Sequence, residues 1–272
     1  MAKKIGEEPE KLKQEDTGTQ PPSAPPKRSK VISWIVIAAA VVVLVFALVQ
    51  VFGIKGEDWA SEDAYDKLKE VAAASQQPGQ ESGGPRDRKI DFEALQAVND
   101  DIVGWIYLPN TKIDYPVVIG DDNDYYISHN ADKSENRAGA IFLDYQNAPD
   151  FSDQNTIIYG HRMNDGSMFA TLHDYEEDAF FRENDTVYLY LPDGSVREYR
   201  IFSAYVVSEV DETYTMTFAS DEDYGQYLKK MRGRSPYKTD AELSAQDRII
   251  TLSTCVKGQD EKRYVVQAVL EK

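Results

Sequence analysis

Cysteine is almost absent: Cys255 is the only one in 272 residues. An intramolecular disulfide is thereby excluded, and a lone thiol in an extracellular chain is a liability unless it is buried or has a task. Histidine is scarce as well, with His129, His161 and His173 alone. One cysteine and three scattered histidines offer no ligand pair at zinc spacing, and the acids lack an EF-hand pattern, so no metal is expected. Positive charge is sparse outside the first stretch. Through Lys30 there are seven Lys/Arg against five acids, a small +2 against a formal total of −17, which leaves −19 on the rest. A body so acidic argues against nucleic acid as a partner, because phosphate binding depends on clustered Lys and Arg.

Charge of either sign disappears between Val31 and Phe52, an apolar run of Val, Ile, Ala and Leu. As a helix it would be about 33 Å long, enough to span the hydrocarbon core of a bilayer. It exceeds the usual apolar length of a cleaved signal peptide, and no clear small-x-small cleavage site follows it. Residues 31–53 are therefore expected to be a transmembrane anchor. Lys27, Arg28 and Lys30 stand before it, whereas Lys55 is followed at once by Glu57 and Asp58. That asymmetry puts the N-terminus in the cytoplasm and the acidic body outside. Residues 1–30, polar and punctuated by Pro21, Pro22, Pro25 and Pro26, are expected to be a disordered cytoplasmic tail.

Residues 54–90 are expected to hold an extracellular helix and a flexible linker. The helix, over 57–75, would place Trp59, Tyr65, Leu68, Val71 and Ala72 on one face and start near Ser61. The linker, over 76–88, is rich in Gln, Pro and Gly. A folded domain, 91–272, opens on a short helix with Asp91 as its cap and Phe92, Leu95 and Val98 on one face. The periodicity then shortens to give eight candidate strands at 104–108, 113–119, 139–143, 156–159, 186–191, 197–207, 248–255 and 263–270. Turns such as Pro109-Asn110 and Pro192-Asp193-Gly194 separate them, and the pattern predicts an all-β sandwich or barrel. Helical exceptions fall at 121–129, 167–175, 177–182 and 220–232. The last has Ser220 as its cap and Tyr224, Tyr227, Leu228 and Met231 on one face. It lies in an insertion, 211–246, long enough to cover a groove.

The chemistry concentrates near the end of the chain. Cys255 closes the apolar run Ile249, Ile250, Leu252, and Arg263 opens the next. If the two runs pair antiparallel through a turn at 257–262, thiol and guanidinium share a groove. A fixed cation there favours the thiolate and stabilises negative charge in a tetrahedral intermediate. His161 ends the run Asn155-Thr-Ile-Ile-Tyr-Gly-His161 and so sits at a strand end, as Cys255 does. His129 and His173, beside Asn130 and Asp174, are read as solvated or capping residues.

Together Thr251-Leu-Ser-Thr-Cys255, Ile158-Tyr-Gly-His161 and Arg263 resemble the sortases, cysteine transpeptidases of Gram-positive surfaces. The segments Gly104-Trp-Ile-Tyr-Leu-Pro-Asn-Thr-Lys-Ile-Asp-Tyr-Pro-Val-Val118, Asn123-Asp-Tyr-Tyr126, Ala140-Ile-Phe-Leu-Asp-Tyr145 and Gly166-Ser-Met-Phe169 resemble class B in particular. The resemblance covers about 92–270. It implies a mainly β fold: an eight-stranded sortase-type β-barrel with N-terminal helices and a helix in the long loop before the Cys255 strand. It also implies Cys255 as nucleophile, His161 as general acid/base, Arg263 as the oxyanion or substrate clamp, and Ser253 as a substrate contact. Some class B members carry an acid two residues past the cysteine, where this chain has Lys257. The implied partners are secreted proteins with a C-terminal sorting signal and an amine acceptor from a cell-wall precursor or a pilin; no cofactor is required. Two other readings suit the same residues: a cysteine hydrolase acting on peptidoglycan or surface proteins, and an anchored, non-enzymatic binding module whose cysteine is buried.

Overall fold

The computed structural model describes residues 27–74 and 83–272, so the tail expected over 1–30 and the linker over 76–88 lie largely outside the described residues. The chain divides into two compact units, with a boundary between Phe52 and Gly53. Helix α1, Lys27–Ala72, carries that boundary. In the first unit, Trp34–Val51 has a mean hydropathy of 2.9 and no buried side chains, and it is the one helix among the described residues long and apolar enough to cross a membrane.

In the second unit the end of α1 presents Tyr65, Leu68 and Ala72 to the core, with Val71 partly buried beside them. Two expectations for this helix change. Trp59 is 67% exposed and stands off the buried face. Ser61 does not start the helix; it is buried within it, and its hydroxyl donates to Asn130 Oδ1 at 3.3 Å. The described end of the expected linker is fastened rather than loose. Pro85–Asp87 form a 3-10 turn, Arg86 pairs with Glu198 at 2.5 Å, and Arg88 Nη1 pairs with Asp114 Oδ1 at 2.7 Å. The Arg88 guanidinium also lies over the rings of Trp105, Tyr107 and Tyr190, each 5.5 or 5.6 Å away.

Eight strands form one closed barrel in the order β1-β2-β3-β4-β7-β8-β6-β5. They are β1 Ile102–Tyr107, β2 Asp114–Val118, β3 Ile141–Leu143, β4 Asn155–Tyr159, β5 Thr186–Tyr190, β6 Val196–Ser208, β7 Ile249–Val256 and β8 Gln259–Leu270. Closure leaves no free sheet edge, the barrel's solution to unpaired main-chain groups. All pairs are antiparallel except β2 with β3 and β4 with β7. A parallel pair needs a long crossover. The one from β4 to β7 contains α3 (Asp178–Glu183), β5, β6 and α4 (Asp221–Arg234).

Helix α2, Phe92–Val98, is capped as expected, with Asp91 Oδ1 accepting from the Ala94 amide at 3.0 Å. Phe92 and Leu95 are buried, but Val98, at the last residue, is 47% exposed. The helices expected over 121–129 and 167–175 shrink to 3-10 turns at Tyr125–Ile127 and Ala170–Glu176. Local side chains explain both. Asp122 Oδ1 accepts from the amides of Asp124 and Tyr125, a turn that competes with helix. Met168, with φ of 55°, breaks the backbone before Ala170.

Helix α4 follows its sequence signals. Ser220 Oγ accepts from the Asp223 amide at 3.2 Å, acids fill the first turn, and Arg232 and Arg234 occupy the last. Its buried face of Tyr224, Tyr227, Leu228 and Met231 packs on Phe202, Tyr205, Val265 and Val269, a second core separate from the main one that holds Trp105. Burying side chains of this size contributes about 2 kcal/mol each.

Candidate functional site

The site is built by strand register. Parallel β4 and β7 pair from Asn155↔Ile249 to Tyr159↔Ser253, and the Gly160 amide donates to the Ser253 carbonyl at 3.1 Å. His161 and Cys255 stand two positions beyond the last pair. Side chains alternate along a strand, so Tyr159, His161, Ser253 and Cys255 fall on one face. They line one cleft of about 380 Å³. Only glycine fits between Tyr159 and His161, because a Cβ at Gly160 would come within 2.5 Å of Ile141 Cδ1 and 2.8 Å of the Phe169 ring.

Antiparallel β7 and β8 put Arg263 directly opposite Cys255, as the sequence suggested. The connection differs from the expected turn over 257–262. Val256 pairs with Gln259 across Lys257-Gly258, with Gly258 at φ 72°, and residues 260–262 form a bulge on β8 without partners on β7. That bulge feeds the arginine. Its Nη1 donates to the carbonyls of Asp260 at 2.5 Å and Lys262 at 3.0 Å, and its Nη2 to Glu209 Oε2 at 2.7 Å.

His161 Nε2 lies 2.8 Å from the Ile127 carbonyl, which can only accept, so this nitrogen carries the proton. Ile127 is placed in turn by Gly139. At φ 60° a Cβ on that residue would come within 2.6 Å of the carbonyls of Tyr126 and Ile127. Ser253 is buried, and its Oγ shares a 2.9 Å hydrogen bond with Tyr214 Oη. Tyr159 donates to Asp144 Oδ2 at 3.0 Å. Burial, chiefly, pushes the Tyr214 hydroxyl up to about 12; the Ser253 bond and the Arg263 charge act the other way, and Cys255 adds to the rise. Tyr159 is raised mainly by burial and next by Asp144, again with Arg263 opposing. The arginine's charge is thus felt across the cleft.

The far wall comes from the start of the expected insertion and the residues before it, with Glu209, Val210 and Tyr214 lining the cleft. Val210 is 86% exposed, an apolar side chain offered to solvent at the rim. Helix α4 packs on the barrel and is not among the lining residues. Tyr214 is held by a buried polar network. Asn155 Nδ2 donates to the carbonyls of Thr213 and Thr215, Thr251 Oγ1 donates to Asn155 Oδ1 at 2.8 Å, and Gln267 Nε2 donates to Thr251 Oγ1 at 3.0 Å.

The structure brings Cys255, His161, Arg263 and Ser253 together and leaves His129 stacked on Tyr125 at 4.0 Å, away from the cleft lining. His173 departs from its expected solvated or capping role. Its side chain is only 16% exposed, and its Nε2 meets the Cys255 carbonyl at 3.0 Å. Glu209, Tyr214 and the Ile127 carbonyl were not singled out from the sequence. Tyr159, by contrast, lies inside the Ile158-Tyr-Gly-His161 run that ends at the candidate histidine.

A family model described as the sortase domain matches residues 106–271. Sortase B of Listeria monocytogenes is 42% identical over 192 residues, 70% of this chain and 76% of the relative. The chain belongs to the sortase family. Sortases are cysteine transpeptidases that act on sorting-signal substrates and amine acceptors, and the relatives of this sortase are of class B. Sortase B of Staphylococcus aureus is 32% identical over 250 residues, 90% of this chain and 98% of the relative. The crystal structure of sortase B from Bacillus anthracis superposes with a TM-score of 0.70 at 35% identity, covering 80% of this chain and all of that one. The sortase therefore has the barrel that its sequence resemblance implied.

Proposed function

We propose that this sortase joins secreted proteins to a surface amine through a thioacyl intermediate on Cys255. The observation that carries the reading is the β4–β7 register, which sets His161 beside Cys255 at the mouth of one cleft, with Arg263 opposite the thiol. The Cys255 thiolate attacks a backbone carbonyl in the sorting signal. The Arg263 guanidinium stabilises the oxyanion, and imidazolium His161 gives a proton to the departing amine as the C–N bond breaks. With Nε2–H held by Ile127, Nδ1 is the nitrogen that changes protonation. An acceptor amine then attacks the thioester and yields its proton to His161, and the Cys255 thiolate leaves. Ser253, tied to Tyr214, is a substrate contact in this scheme.

The acceptor belongs to a cell-wall precursor or a pilin, and the donor is a secreted protein with a C-terminal sorting signal. Residues 31–53 anchor the enzyme, with the tail 1–30 in the cytoplasm. Residues 54–90 lead to the extracellular catalytic domain, 91–272. The exposed apolar stretch Trp34–Val51 and the charges flanking it support that arrangement. Such tethering keeps enzyme, substrate and lipid-linked acceptor at one surface, where effective concentration replaces tight binding.

The full chain in detergent, given a labelled sorting peptide with and without an amine acceptor, tests the reading by mass spectrometry. A peptide–amine product and a covalent adduct on Cys255 are expected, and both vanish in Cys255→Ala. Hydrolysis alone, unaffected by acceptor, would favour a cysteine hydrolase. Cleavage that survives Cys255→Ala would end the enzymatic scheme built on this thiol.

A further inference from the structure

The side of β7 away from the cleft holds a group that the scheme above does not use. The β7–β8 ladder loses its register between Cys255 and Val256. There the Cys255 carbonyl meets His173 Nε2 at 3.0 Å, while His173 Nδ1 meets Glu176 Oε1 at 2.6 Å. The imidazole stacks on Tyr264, centroids 4.9 Å apart and planes 26° apart. Tyr264 pairs with Thr254, so its ring lies on the face of the sheet opposite the Cys255 side chain.

A carbonyl oxygen and a carboxylate can only accept hydrogen bonds. A neutral imidazole has one N–H and must leave one of these contacts as lone pair against lone pair. The imidazolium satisfies both. We propose that His173, held protonated by Glu176 and braced by Tyr264, is a positioning residue for Cys255. It fixes the Cys255 peptide plane where the ladder fails and places a positive charge behind the thiolate. The proposal rests on the reading of Cys255 as the reacting thiol.

The groups that face His173 are few. Glu176 and Asp174 lie on its own segment, and Tyr264 belongs to β8 and Cys255 to β7. Tyr237, on the loop after α4, donates to the Glu176 carbonyl and so steadies the segment from a third side. Arg263 and His161 line the cleft face of the sheet. In the proposed arrangement cationic groups thus stand on both sides of the thiol.

The test is the rate of Cys255 alkylation by iodoacetamide across pH, measured on the full chain in detergent together with its melting temperature. His173→Phe keeps a ring over Tyr264 without a donor, and His173→Gln keeps a donor to the Cys255 carbonyl without a charge. Both are expected to raise the alkylation midpoint by roughly half a pH unit or more. Glu176→Gln, at an exposed position, is expected to raise it by less and decides the matter if the histidine variants do not fold. A rise supports the proposal whether or not the melting temperature also falls. An unchanged midpoint in the folded variants overturns it and leaves His173 a packing residue. Failure of the transpeptidase reading looks different: alkylated parent enzyme would still cleave its peptide, while the effect of His173 on the midpoint stayed readable.

Discussion

The two walls of the cleft are held in different ways. The wall carrying His161 and Cys255 is main chain in register, two parallel strands whose ladder continues through the Gly160 amide. The wall carrying Glu209 and Tyr214 is a turn and a single 3-10 turn, Glu212–Tyr214, fixed by side chains: Asn155, Thr251 and Gln267 from within the sheet, and Arg234, which pairs with Asp211 and Glu212. A ladder repeats its hydrogen bond at each step and tolerates most side-chain changes. A side-chain network has no such redundancy, and one deletion leaves several buried groups unsatisfied. In the proposed scheme the chemistry falls to the ladder wall, and the insertion wall shapes what enters.

The largest expected effect comes from β8, beside the ladder wall. Arg263→Lys keeps the charge but loses the planar fork that Asp260, Lys262 and Glu209 orient, and it should lower kcat/KM by roughly 100-fold. Steady-state peptide cleavage measures it; a loss below about threefold would mean that charge alone suffices. Next comes the insertion wall. Asn155→Ala takes the acceptor from the buried Thr251 hydroxyl and the amide donor from the Thr215 carbonyl, while Tyr227 still serves the Thr213 carbonyl, at a cost of about 2 kcal/mol read by urea denaturation. Because Tyr214 is released while the ladder stays, KM should rise more than kcat falls. An equal fall in kcat would erase the distinction between the walls.

The smallest effect appears only in acid. Burial works to raise the Asp211 carboxyl, but bonds from Thr213 and Arg234 outweigh it and hold its folded value below the ordinary 3.8. A depressed carboxylate contributes stability that is complete above the unfolded value and disappears as pH falls through the folded one. The insertion wall should therefore loosen below about pH 3.8, seen as faster hydrogen exchange at the Thr213 amide, which Asp211 Oδ1 accepts at 2.8 Å. Asp211→Asn should remove that pH dependence. Loss of protection at the Gly160 amide over the same range would show that the walls melt together.

The same contrast explains what could be read from the chain alone. All eight strands, the Asp91 and Ser220 caps and the buried face of α4 carry local signals: alternation, capping residues and 3.6-residue spacing. The clustering of Cys255, His161 and Arg263 is legible because each closes or opens an apolar run. Glu209 was not, since a surface carboxylate beside an exposed valine has no pattern of its own. Its pairing with Arg263 depends on β6 lying next to β8, a matter of topology. The contact of His173 with the Cys255 carbonyl is hidden for a related reason. A histidine in a short 3-10 turn looks like a solvated cap until the fold lays the turn across β7 and β8. The exposed Trp59 and Val98 mark the opposite error, in which helical spacing continued past the reach of the barrel.

The parallel seam also has a consequence for how the enzyme comes into being. Asn155 and Thr251, hydrogen-bonded across β4 and β7, are 96 positions apart in the chain. Closing a loop of that size is entropically costly before any contact rewards it, and non-local strand pairing is slow. His161 is synthesised long before Cys255, yet the two line one cleft only once the last two strands arrive. A chain made only as far as β6 therefore has a half site without its thiol, and the proposed chemistry begins only when β7 and β8 close the barrel.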